Sequence, residues 1–187
     1  MPKVPINPIP SSRLSIAEIS DSGGWRLFMR MAHEPLEAGQ AISDELAQMW
    51  PEAVLGIIFS EAKSGATVKA RNDFQRWKSA FETMAQSNPE LAVDIDLVDM
   101  HLAVYEDRSF AQSDLEHMRI VRQNVAEGDH VGRGLACNHL CNIALQMGDF
   151  DLAQKYAEQA IRAYLDGKAD FGAMHLHTHL AQIRLMR

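Results

Sequence analysis

The stretch NHLCNIALQMGDFDLAQKYAEQAIRAY, residues Asn138 to Tyr164, decides how this chain is read. Small and apolar residues recur at helical spacing on both sides of Gly148-Asp149-Phe150-Asp151. Two helices that share such a face pack antiparallel across a tight turn. One hairpin cannot bury both of its apolar faces, so neighbours must stack on either side. The expected fold is therefore all-α, built from repeated hairpins.

The rest of the chain agrees. Its 187 residues suit one domain with a sizeable core, and no apolar run is long enough to span a bilayer. Hydrophobic residues make up 47% and charged residues 23%, a globular balance. Ala, Leu and Met are plentiful and β-branched residues sparse, which favours helix.

A net charge of -7 argues against direct nucleic-acid binding, which needs a basic face. The basic residues Lys69, Arg71, Arg76 and Lys78, and then Arg119, Arg122 and Arg133, are interleaved with acids and apolar residues. They read as solvated helix faces. The start, MPKVPINPIPSSRLS, has no apolar signal region, and Cys137 and Cys141 sit four apart on one predicted helix. A cytoplasmic setting with free, buried thiols is expected.

Pro2, Pro5, Pro8 and Pro10 predict an extended N-terminal arm over residues 1–24, ahead of a helical domain over 25–187. Trp25, Phe28, Met29 and Ala32 form a first apolar stripe. Leu36 to Met49 reads as helix, with Ile42, Leu46 and Met49 on one face. Pro51 is expected to open a separate helix from Glu52 to Lys63. Val68 to Ala85 follows, with Phe74, Trp77, Phe81 and Met84 inward. Asn88-Pro89 predicts an N-cap and first helical residue for Leu91 to Tyr105. Further helices are expected at Phe110–Ala126, Val131–Met147, Phe150–Leu165 and Phe171–Met186, with Gly128 and Gly167 as breaks.

A register underlies these helices. Met100, Leu140 and Leu180 recur at equal spacing in three outgoing helices. The same alignment superposes Phe110 on Phe150 as the residue opening each return helix. The last helix has no return partner before Arg187: either the sequence is a piece of a longer chain, or another chain or the N-terminal arm covers this end. The exposed last face and the Met-rich surfaces favour self-association, with a dimer expected.

Leu140, Cys141, Ala144, Gly148-Asp149-Phe150-Asp151, Ala153, Ala157 and Ala160 resemble a tetratricopeptide repeat. Cys137 stands where that family often has Trp, and Leu165 where it often has Pro. The divergent spacing near 40 residues, with FGAMHLHTHL from Phe171 to Leu180, is similar to the repeat region of large LuxR-type bacterial regulators of the maltose-activator type. The resemblance implies an α-solenoid of tetratricopeptide-like hairpins that binds a protein or peptide and senses on behalf of a transcriptional regulator. The P-loop and helix-turn-helix of such regulators do not occur here.

In tetratricopeptide-like stacks the first helices line the concave face. Counting from Leu140 then places Asn138 and Asn142 there, with His175, Thr178 and Gln182 at the equivalent turn of the last helix. Asparagine amides hydrogen-bond an extended peptide backbone without a charge penalty.

Other chemistry is weaker. His175 and His179 share a helix face, as do Cys137 and Cys141, while His177 points away. Zinc at about 2.0–2.3 Å from four such ligands needs the two helices to align. Burial of the thiols and a groove role for the histidines is the simpler reading, with no metal or cofactor. Asp96 and Asp99 of the DIDLVD run (which also holds Asp94) share a face and read as solvated. No phosphate loop, nucleophile elbow or metalloprotease motif occurs, so no catalytic residue is assigned and a non-enzyme is expected. The rival reading is an α-helical small-molecule or metal-binding protein, using the His/Cys cluster or a cavity among Trp25, Trp50, Phe74 and Trp77.

Overall fold

The computed structural model describes residues 34–38 and 44–186. The readings for the 1–24 arm and for Trp25, Phe28, Met29, Ala32 and Ile42 lie outside the described residues, as does the Leu46 side chain. A single turn, α1 (Glu34–Glu37), precedes seven longer helices. These are α2 (Asp44–Lys63), α3 (Thr67–Ala85), α4 (Pro89–Tyr105), α5 (Gln112–Asn124), α6 (His130–Gln146), α7 (Phe150–Asp166) and α8 (Asp170–Met186). Among the described residues there is no strand, and no helix is long and apolar enough to cross a membrane.

The helix boundaries follow local chemistry. The Leu91 backbone N–H donates to the Asn88 side chain at 3.2 Å, with Pro89 opening α4, as the sequence predicts. Asp129 and Asp149 cap α6 and α7 in the same way, accepting from Gly132 and Leu152. Gly148 takes φ +75, and the N–H groups of Gly148 and Asp149 donate back to Leu145 and Ala144. That closes α6 in a Schellman turn, the conformation glycine allows most cheaply.

Two boundaries differ from the sequence reading, at Pro51 and Phe110, while Gly167 ends α7 as expected. Pro51 lies inside one continuous helix, α2, instead of opening a second. Its missing N–H sacrifices one helical hydrogen bond, and the burial of Trp50, Val54, Leu55 and Ile58 around it offsets that loss. Phe110 stands two residues before α5, because the Asp114 side chain accepts from the Ala111 N–H and makes Ala111 the cap. Phe150, by contrast, is the first residue of α7. Gly167 has φ -83, and the left-handed turn into α8 falls on Lys168.

Packing is sequential with a longer-range component. α2, α3 and α4 pack mutually, then each helix packs on the next. First helices also touch directly, α4 on α6 and α6 on α8. The α6–α7 contact is the most intimate. Ala136, Ala144, Ala153, Ala157 and Ala160 are all fully buried, and small side chains let helix axes approach closely. The Tyr164 ring lies against both Gly134 and Gly172; a Cβ on Gly134 would sit 2.7 Å from it. The core around α2 and α3 is instead aromatic. Trp50 meets Trp77 edge-on at 4.9 Å and Phe81 at 5.4 Å, with Phe74 behind. Of the aromatics in the rival reading, Trp50, Phe74 and Trp77 belong to this cluster, and Trp25 lies outside the described residues.

Candidate functional site

The open strip of α6 carries the two asparagines. Val131, Asn138, Asn142 and Leu145 follow one another at helical spacing and are half-buried, while the other faces of α6 are covered. The Asn138 Oδ1 atom is buried and accepts no hydrogen bond. An acceptor taken from water without a partner costs on the order of 1–3 kcal/mol, so Asn138 is held there at some expense of stability. His175, Thr178 and Gln182 are exposed on α8, which touches α6. His175 lies edge-on to His179 at 4.7 Å. Burial, then His175, pushes the His179 imidazole below its usual pKa.

Beside this strip lies a stack that sequence reasoning missed. Phe59 of α2 lies flat against His101 of α4 at 3.8 Å between ring centroids. His101 touches Tyr105 at 4.7 Å and His139 of α6 at 5.6 Å. Lys63, at the end of α2, sits 5.8 Å from the Phe59 ring and 5.3 Å from the Phe171 ring. The end of α2 therefore meets the beginning of α8, and one cation bridges them.

Both imidazoles are held neutral. Burial, assisted by His139 and Lys63, pushes His101 down to about 2. Burial pushes His139 down to about 4, against a small opposing effect of the Leu97 backbone. His101 Nε2 and both His139 nitrogens are buried without a hydrogen-bond partner of good geometry. The available signals were the pairs Phe59/Lys63 and His101/Tyr105, each four apart. Nothing local says that the two pairs meet.

The sulfur and carboxylate candidates resolve differently. Cys137 and Cys141 are buried free thiols, and burial raises both, Cys141 to about 12. Thiols so shifted are poor nucleophiles. His139 turns toward His101, not toward His175 and His179. Among the described residues no three His, Cys, Asp or Glu side chains converge as a metal site. Asp96 and Asp99 are tied to different helices and are not simply solvated. Asp96 pairs with His117 of α5 at 3.4 Å, and Asp99 with Arg71 of α3 at 2.5 Å. Arg71 also clamps Glu106, which fixes α3 onto α4. Burial raises the Asp96 carboxyl against the pull of His117. That pair lines a cleft of about 390 Å³ with Ala92, Val93, Ile120 and Val121. It holds one ion pair and no third reactive group.

No protein-family model matches this chain, and comparison with curated proteins and with solved structures gives no match.

Proposed function

We propose that this chain is an α-solenoid scaffold of tetratricopeptide-like hairpins that binds an extended protein or peptide segment. The observation that supports this reading is the part-open α6 strip, where Asn138 and Asn142 lie half-buried one turn apart. The amides of these two half-buried residues suit hydrogen bonding to the backbone of an extended peptide. His175 and Gln182 on α8 extend the surface, and Thr178 lies at its margin. The regular starts of α4, α6 and α8 at Pro89, His130 and Asp170 support the repeat architecture. Assignment to the interaction part of a LuxR-type regulator rests on the sequence resemblance alone. On this reading the chain has no catalytic residue and needs no cofactor.

The test is selection from a displayed random-peptide library against the wild-type protein, followed by affinity measurement with N138A/N142A. The double variant should lose about tenfold or more in affinity, roughly the worth of one or two lost hydrogen bonds. Its melting temperature should barely move. Equal affinity for the variant removes the asparagines from the site.

One observation favours a second reading. The Phe59–His101–His139 stack buries imidazole nitrogens that lack a hydrogen-bond partner, with Lys63 close to the Phe59 ring. Native mass spectrometry of the freshly purified protein tests it: a stoichiometric bound mass favours the small-molecule reading over the scaffold.

A further inference from the structure

The final helix carries an ordered apolar seam on its outer side. Phe171, Met174 and Leu185 are 70%, 65% and 88% exposed, and Thr178 and Ala181 are exposed between them. These five residues are spaced three, four, three and four apart, the seam of a paired helix. The opposite side of α8 holds Ala173, Leu176 and Ile183, buried against the body of the protein. The exposed seam is therefore a second packing face and not the edge of the first.

We propose that α8 pairs antiparallel with α8 of a second copy of this chain. The sequence of the seam selects both the partner and the direction. With Phe171 across from Ala181 of the other copy, Met174 falls across from Thr178. Large then meets small at both of these layers, two-fold symmetry repeats each match, and Leu185 reaches past the start of the partner helix toward its Gly167. The same register brings Asp170 beside Arg184 of the second copy, twice. Among the described residues neither group has an ion-pair partner. A parallel pair would instead set Asp170 against Asp170 and Arg184 against Arg184, and leave a gap at the paired alanines. Opposite charges flanking an apolar seam set helix orientation and partner choice.

A single helix pair buries less than about 1,200 Å², the low end for specific protein contacts, so the dimer forms at micromolar concentration. This inference shares Thr178 with the peptide reading and flanks His175 and Gln182, but it does not involve α6. Pairing covers Thr178 and leaves Asn138 and Asn142 open, so either can fail without the other.

Sedimentation velocity of the full chain, from low micromolar to several hundred micromolar, is the test. The wild type should shift from monomer to dimer across that range. Met174→Glu should raise the dissociation constant by about tenfold or more with an unchanged melting curve. D170R and R184D should each weaken the dimer, and D170R/R184D should restore it, because the swapped pair re-forms across the two-fold. A wild type that stays monomeric throughout, a dimer indifferent to Met174→Glu, or a double reversal that fails to recover overturns the proposal.

Discussion

The two halves of this protein solve the same packing problem with opposite materials. Around α2 and α3 the core is filled by large rings: Trp50, Phe74, Trp77 and Phe81. Between α6 and α7 it is filled by backbone proximity, with five buried alanines and Gly134 under the Tyr164 ring. The first design tolerates irregular helices, including one that carries proline in its interior. The second demands small residues at fixed positions, which is why its pattern is so plain in the sequence. The two halves meet at α4 and α6, where His101 touches His139, and the unusual buried groups gather at that seam.

Acid should break the seam first. Both imidazoles are depressed in the folded state, so below the ordinary histidine pKa near 6.5 the unfolded chain binds more protons. Stability is full above that pH and is lost as pH falls from about 6.5 toward about 4 for His139 and about 2 for His101. Each group then removes about 1.4 kcal/mol per pH unit, roughly 5 kcal/mol for the pair by pH 4.5. Urea unfolding at pH 7.0, 5.5 and 4.5 reads this directly. His139→Leu should flatten the slope by about half, and an identical slope would show that the imidazoles are not the cause.

Next in size is the aromatic half. Phe74→Ala removes a fully buried ring and should lower unfolding free energy by about 3–5 kcal/mol at pH 7. The small-residue half fails in the other direction. Gly134→Val should cost about 1–3 kcal/mol by overpacking. Without the Tyr164 ring, replacing a helical glycine would be expected to stabilise by a fraction of that. If Gly134→Val proves neutral while Phe74→Ala is severe, the contrast between the halves is wrong. Smallest is the cap: Asp149→Ala should cost about 1 kcal/mol by freeing the Leu152 N–H, measurable in the same denaturation series.

The legibility of the chain follows the same division. Positions governed by neighbours three or four residues away were readable: the Asn88-Pro89 cap, the Gly148 turn, and the inward stripe of Phe74 and Phe81. Pro51 was misread because local rules place proline in a first turn, while burial of the surrounding helix outweighs its lost hydrogen bond. Lys168 was missed as the turn residue because Gly167 beside it carries the stronger local signal. The partly open placement of Asn138 and Asn142 on α6 was reached by register. The Phe59–His101–His139 stack was not, because its members are separated by 42 and 38 residues and share no local pattern.

The sequence by itself determined the helices, most of their ends, and the burial of Cys137 and Cys141. Those follow from periodicity and capping, which act within one turn of chain. Only the tertiary structure decided that Lys63 reaches Phe171, that two unpartnered imidazoles face each other, and that the second seam of α8 stays open. Those depend on how hairpins stack, and stacking is set by summed contacts between residues the chain order keeps far apart.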